Sequence, residues 1–383
     1  MRTVTSIAEL REEARRRVPR AIFEYADRGS YDEVTLRRNR AALEAIELRQ
    51  RVMIDLSQRS LATTVLGQPW SMPVAIAPTG LTGLFHRDGE IQGALAAQAF
   101  GVPFALSTMS ICSIEDVRAA VGQPFWFQLY MMKDRAFNEE LVARARAAQC
   151  SALILTVDLV VQGVRRRDVH NGLTIPPRLT LANLLDIMTK PRWALGVLFG
   201  KRRTFGNLAG RLEASGGLGT LSQWIASQSD ASITWKEIEW LRARWPGKLI
   251  VKGILDAEDA SLAAAAGVDA LIVSNHGGRQ LDGAAATISV LPEVVEAVAG
   301  RCEVLFDGGV QCGQDVLRAL ALGARACLVG KSFLYGLAAG GRAGVSRMLE
   351  ILRAELDVSM ALTGVTDVRA VDRRVLRAPS PRP

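Results

Sequence analysis

Eight short apolar runs, alternating with amphipathic alanine-rich stretches, constrain this 383-residue chain more than any other feature. The runs are MPVAIAP (72–78), VPFALS (102–107), FWFQLY (125–130), ALILTVD (152–158), KLIVK (248–252), DALIVS (269–274), CEVLFD (302–307) and ACLVG (326–330). Each is too short for a buried helix, and most are apolar on both faces, as parallel strands covered on both sides must be. Between them lie helical patterns such as 134–149 and 256–266, the second ending at Gly267, a residue suited to a helix C-terminus. Eight strand–helix units predict a (β/α)8 barrel.

One gap breaks the spacing. Between the fourth and fifth runs lie residues 159–247, which predicts an insertion, at 159–232, in the loop after strand four. Strand-to-helix loops emerge on the face where barrel active sites sit. Residues 1–70 read as an N-terminal helical cap, with a helix start at Thr5-Ser6 and the helical pattern LRRNRAALEAI. Residues 1–370 are expected to form one domain, and 371–383, with three prolines and several arginines, a loose tail.

Composition narrows the function. Hydrophobic residues make up 49% and charged residues 22%, enough to bury a large core and unlike a disordered chain. Five cysteines, odd in number and without a CxxC pair, favour neither a disulfide framework nor a zinc site. The opening Met1-Arg2-Thr3 leads into charge, so no signal peptide is expected, and no apolar run reaches the ~18–20 residues of a membrane span. A reduced cytoplasmic protein is the expectation. The net charge of +8 could mean nucleic acid, a membrane surface or an anionic substrate. No basic surface interleaved with exposed aromatics of the nucleic-acid type is found.

The barrel assignment carries its own test, because polar residues should gather where strands end. Strand one ends in Pro78-Thr79-Gly80, two in Ser107-Thr108, three in Gln128-Leu129-Tyr130, four in Thr156-Val157-Asp158 and five in Lys252. Strand six runs into Ser274-Asn275-His276-Gly277-Gly278-Arg279, seven into Asp307-Gly308-Gly309, and eight into Gly330-Lys331. The last two suit a phosphate: glycines expose backbone N–H groups, a helix start adds its dipole and Lys331 a charge. Two ordinary glycine turns are the alternative. At strand six, a base-capable histidine and a cation share one glycine-rich loop, and Asp158 is placed to fix the tautomer of His276. His86 and His170, the remaining histidines, lie in charged loop contexts and read as solvated or structural; no metal site is expected.

This set resembles the FMN-dependent 2-hydroxy acid oxidases and dehydrogenases. SNHGGRQLDG is close to the family signature, FQLY, TVD and VKG follow in the expected order, and the likeness runs from about Tyr25 to about residue 362. APTGLTGLFHRDGE, LSTMSICSIEDV, SITWKEIEWLR and FLYGLAAGGRAGV are most similar to the bacterial membrane-associated L-lactate dehydrogenases. The resemblance implies that His276 takes a proton as the hydroxy acid is oxidised, with Asp158 behind it. Arg165 and Arg279 would grip the substrate carboxylate, with Tyr25 beside them and Tyr130 at the hydroxyl. Lys252 would stabilise negative charge at the flavin N1 edge. Ser107, Gln128, Thr156 and Ser274 would contact the isoalloxazine, with the Pro78-Thr79-Gly80 backbone along it. Asp307, Gly308, Gly309, Gly330 and Lys331 would hold the ribityl phosphate. In two places the chain departs from the family: Gln311 and Lys331 stand where arginines reach the phosphate, so weaker FMN binding is expected.

By this resemblance the expected reaction is oxidation of L-lactate to pyruvate, electrons passing to a membrane quinone or similar acceptor, in a homotetramer. L-mandelate dehydrogenase and an oxygen-using oxidase are rivals, as is a barrel that binds flavin without turnover, for which the Asp158, Arg165, Lys252, His276 and Arg279 set would have no use. Whether proton or hydride leaves Cα is open. From 187 to 212 there are six basic residues (Lys190, Arg192, Lys201, Arg202, Arg203, Arg211) and no acidic one. Interleaved with Trp193, Leu195, Val197, Leu198 and Phe199, they suit an anchor on the anionic cytoplasmic face of the inner membrane. A mobile active-site lid is the alternative.

Overall fold

Every apolar run becomes a parallel strand. The computed structural model describes residues 3–172, 180–209, 228 and 230–377. Its barrel strands are β1 (Val74–Ile76), β2 (Ala105–Ser107), β3 (Trp126–Leu129), β4 (Ala152–Thr156), β5 (Lys248–Ile254), β6 (Ala270–Val273), β7 (Glu303–Phe306) and β8 (Ala326–Val329). From β2 to β8 each strand pairs with the next, and β8 pairs with β1. A single bridge between Ile76 and Phe104 completes the ring, giving a nearly closed (β/α)8 barrel.

Alternation explains why the strands lack a polar face. Ala152 and Ile154 of β4 join the barrel interior with Ala75, Trp126, Ile250, Ile272 and Leu328. Leu153 and Leu155, one residue out of phase, pack under the surrounding helices with Phe127 and Val251. Both sets are dry, so both must be apolar.

The N-terminal cap holds α1 (Ile7–Arg17), α2 (Arg20–Asp27) and α3 (Val34–Glu44), and Ser6 caps α1 by accepting from the Glu9 N–H. It also holds a hairpin that the helical reading of 1–70 did not anticipate. Thr63–Val65 pairs with Gln68–Trp70, and Val65, Leu66 and Trp70 join the barrel's interior cluster. The turn is Leu66-Gly67, both at positive φ, and a leucine there gives no turn signal in sequence.

The barrel helices are α4 (Gly89–Phe100), α5 (Ile114–Ala120) and α6 (Arg135–Ala147) after β1 to β3. After β4 come α7 (Arg166–His170), α8 (Leu181–Met188) and α9 (Pro191–Leu198); residues 210–227 of the predicted insertion, Arg211 included, lie outside the described residues. α10 (Lys236–Arg242) leads into β5, and α11 (Ala257–Ala265), α12 (Thr287–Val298), α13 (Gly313–Ala321) and α14 (Lys331–Leu362) follow β5 to β8. α14 kinks at Gly340-Gly341, where a Cβ on Gly341 would come within 2.7 Å of the His86 ring, so His86 is a packing residue. The expectation of a loose tail from 371 is corrected for 371–377. The Val375 carbonyl accepts from the Arg49 N–H, Arg377 N–H donates to the Glu47 carbonyl, and Val375 is buried. Residues 378–383 lie outside the described residues.

Candidate active site

The strand ends meet around a cavity of about 570 Å³. Tyr25, Pro78, Thr79, Gly80, Tyr130 and Arg165 line it, as do Lys252, His276, Arg279, Asp307, Gly308, Gly309, Gly330 and Lys331. Ser107, Gln128, Thr156 and Ser274 are buried at the ends of β2, β3, β4 and β6. The residues singled out in sequence are therefore neighbours in space.

The loop after β6 is the tightest part. His276, Gly277 and Gly278 all have positive φ, which costs a histidine energy and persists only where surroundings hold it. A Cβ on Gly278 would sit 2.6 Å from the Leu36 nitrogen, so α3 closes on this loop only because a glycine is there. The Ser274 hydroxyl accepts from the Lys252 ammonium at 2.7 Å and from the His276 backbone N–H at 3.1 Å. His276 Nδ1 lies 2.9 Å from Asp158 Oδ1, which assigns the ring proton to Nδ1 and leaves the Nε2 lone pair free. Burial pushes this imidazole below its ordinary value, with Asp158 opposing, so it is a neutral, proton-accepting base.

Lys252 makes an ion pair with Asp307 Oδ2 at 3.0 Å. Burial pulls its ammonium down, but Asp307 and Asp158 outweigh that, and Lys252 is held above its ordinary value as a cation. Arg279 stacks 4.7 Å above the Tyr25 ring and donates to the Tyr25 and Arg28 carbonyls. Burial, then Arg165, lowers its guanidinium to about 10, still charged at neutral pH. Burial and the Asp158 charge push the Tyr130 phenol up, keeping it a neutral hydroxyl. The sequence reading missed Gln280: its amide donates to the Asp158 and Val161 carbonyls at 2.8 and 2.9 Å and accepts from the Gly163 N–H. It ties the loop after β6 to the one after β4. It missed Asp168 as well, a buried carboxyl that lines the cavity and that burial pushes up. Gln280 lies inside the SNHGGRQLDG run, where only its fold contacts reveal its role, and Asp168 belongs to no such signature.

Three buried polar atoms, Gln128 Nε2, Thr156 Oγ1 and Asp307 Oδ1, have no hydrogen-bond partner among the described residues. Ser107 Oγ donates to Gln128 Oε1 at 2.9 Å, which leaves the Gln128 amide N–H₂ as the free end. Buried orphan groups are costly unless a ligand meets them. Gln128 Nε2 and Thr156 Oγ1, on the adjoining ends of β3 and β4, fit the polar edge of a flavin ring. At the other end Gly308 and Gly309 have positive φ, and Lys331 donates to the Asp27 and Arg28 carbonyls at 2.9 and 3.2 Å. The geometry there suits a phosphate. Cys312, beside Gln311, caps α13, and burial with Asp315 pushes its thiol up to about 12. Leu81, Leu84, Met109, Ile111, Met132 and Phe205 form an apolar stretch of wall, beside the polar Gln162, Arg203, Thr204 and Gln228.

The FMN-dependent dehydrogenase family model matches residues 14–378. An L-lactate dehydrogenase of Caulobacter sp. (strain K31) is 48% identical over 374 residues, 97% of this chain and 98% of that protein. The solved monotopic membrane protein (S)-mandelate dehydrogenase is 37% identical with a TM-score of 0.93, covering 98% of this chain and 100% of that one. A mandelate oxidase is 38% identical with a TM-score of 0.83, covering 98% of both chains. The chain therefore belongs to the FMN-dependent dehydrogenases, with FMN as its cofactor.

Proposed function

We propose that the protein oxidises L-lactate to pyruvate and delivers the electrons to a membrane quinone or similar acceptor. The observation that carries this reading is a neutral His276, oriented by Asp158, lining the same cavity as Arg165, Arg279 and Lys252. FMN, when bound, supplies the two-electron acceptor. The chain's residues do the rest. Arg165 and Arg279 hold the carboxylate, with Tyr25 beside them and Tyr130 at the hydroxyl. His276 Nε2 takes one of the two protons that lactate loses, and Asp158 stabilises the resulting imidazolium. The Lys252 cation stabilises negative charge on the cofactor side. Ser107, Gln128, Thr156, Ser274 and the Pro78-Thr79-Gly80 backbone hold the ring; Asp307, Gly308, Gly309, Gly330 and Lys331 hold the ribityl phosphate.

The apolar wall favours a second reading, an aryl substrate such as (S)-mandelate. One experiment separates the two. The purified protein is mixed anaerobically with L-lactate or L-mandelate while flavin absorbance is followed, and air is then admitted. Faster bleaching by lactate supports the first reading, and faster bleaching by mandelate overturns it. Slow recovery in air marks a dehydrogenase, and fast recovery an oxidase.

We further propose that α8 and α9 dock on anionic lipid at the cytoplasmic face of the inner membrane. Leu181, Leu184, Leu185 and Met188 of α8 are exposed, as are Leu195, Leu198 and Phe199 in and just after α9. Lys190 and Arg192 flank them, Lys190 also donating to the Arg16 carbonyl, while Lys201 and Arg202 share Asp116 and Arg203 lines the cavity. Trp193, expected among the lipid-facing residues, instead turns inward and donates to the Leu84 carbonyl at 2.7 Å. No helix among the described residues is long and apolar enough to cross a membrane. The family resemblance supports a homotetramer, which light scattering on the purified protein tests.

A further inference from the structure

The phosphate end of the cavity is short of positive charge for its ligand. A phosphomonoester carries about −1.5 to −2 at neutral pH. Gly308, Gly309 and Gly330 offer backbone N–H groups, Lys331 offers one ammonium, and Gln311, which lines the same end, is uncharged. Arg279 is engaged with Tyr25. Another cation reaches this end from a different layer of the fold. α3 lines the cavity with Leu36, Asn39 and Arg40. The Arg40 guanidinium donates to the Gly309 carbonyl at 2.6 Å and to Asp315 at 2.5 Å, which places it against the strand-seven glycine turn.

Its charge is not cancelled there. Asp315 is fully buried and is shared between Arg40 and Arg318, the latter at 3.2 Å. Two guanidinium groups around one carboxylate leave one positive charge beside Gly309. Glu44, the other partner of Arg40, is 65% exposed, and water screens its contribution. A guanidinium whose orientation is fixed by Asp315, by Glu44 and by a backbone carbonyl is preorganised to meet an anion.

We propose that Arg40 is the second cation of the FMN phosphate site, replacing from α3 the charge that Gln311 lacks. The proposal rests on FMN as the cofactor and not on the identity of the hydroxy acid. Its structural rival is a staple between α3 and the loop after β7 with no role toward the ligand. The two separate when phosphate is taken from the ligand. Holoenzyme is diluted and release of FMN is followed by flavin fluorescence, and the same protein refilled with riboflavin serves as control. Loss of a charge-assisted hydrogen bond in Arg40→Gln is expected to weaken FMN about ten- to a hundredfold, with riboflavin unchanged. Adding Gln311→Arg to that variant should recover most of the loss. Equal weakening of FMN and riboflavin, or no weakening of FMN, overturns the proposal. If Arg40→Gln does not fold, Arg40→Lys is read instead: it must lower the preference for FMN over riboflavin, and an unchanged preference overturns the proposal. Either result leaves the choice between lactate and mandelate untouched.

Discussion

The loop after β6 lines the cavity and the helices α8 and α9 after β4 stand outside its lining, and the two regions are built on opposite principles. In the first, three successive residues take left-handed backbone, and serine, aspartate and glutamine side chains tie the loop to its neighbours. In the second, α8 has no buried residue at all and exposes leucine and methionine to solvent. Reactive geometry needs rigid support within fractions of an ångström, so the first region spends hydrogen bonds on position. The second carries apolar surface that its own fold does not cover, which is how a protein engages something outside itself.

The comparison breaks first at His276. His276→Gln should retain the flavin spectrum and pyruvate binding yet lose about 10² to 10⁴ in turnover; near-normal turnover would remove the histidine from the chemistry. The reactive form is the neutral imidazole, whose proton affinity burial lowers. Flavin reduction should therefore rise with pH through the histidine titration, with its midpoint below the ordinary histidine value, and Asp158→Asn, which removes the opposing charge, should move that midpoint lower still.

A second test concerns Lys252. Lys252→Met should keep bound FMN while slowing reduction by substrate by two or more orders of magnitude. Stopped-flow absorbance measures this, and a wild-type rate would show that its ion pair with Asp307 is only structural.

Charge placed on the exposed helices addresses the other region. Leu185→Asp with Leu195→Asp should cut partitioning onto anionic vesicles at low salt by roughly tenfold or more, while lactate-to-dye activity is retained. If the wild-type protein stays in solution beside such vesicles, the docking reading fails. If the double variant loses dye activity instead, the segment is a lid, held toward the cavity residue Leu84 by the Trp193–Leu84 hydrogen bond.

The last test lies at the phosphate end. Burial and Arg279 hold the Lys331 ammonium down to about 7 from its usual 10.5. Below that value it is charged and suits a phosphate; above it, binding must first recruit a proton. FMN retention should therefore weaken as pH rises above 7, by at most about tenfold per unit. Lys331→Arg should remove that dependence, as flavin fluorescence on dilution at pH 7 and 9 would show.

Much of this was legible in the chain. The eight apolar runs became strands at nearly the boundaries their hydrophobicity marks, because a strand buried on both faces can hold almost nothing polar. The polar residues at the ends of the runs became the cavity lining or lie buried beside it, because a closed barrel forces its strand ends together. Asp134 and Asp256, the first residues of the predicted helical stretches, cap α6 and α11.

What the sequence determined by itself is therefore whatever is local: strand, cap, turn and the residue types at each strand end. The likeness of SNHGGRQLDG to a flavin family also stands, now with full-length relatives. Only the tertiary structure decided which distant residues meet. The Leu66-Gly67 hairpin plugs the barrel, Val375 is pinned by Arg49, Gln280 bridges two loops, Trp193 turns inward and Arg40 reaches Gly309. None of these carries a period or a spacing, because each is a contact between segments whose separation along the chain says nothing about their distance in space. The burial that neutralises His276 is of the same kind: a histidine's proton affinity is a property of everything packed around it.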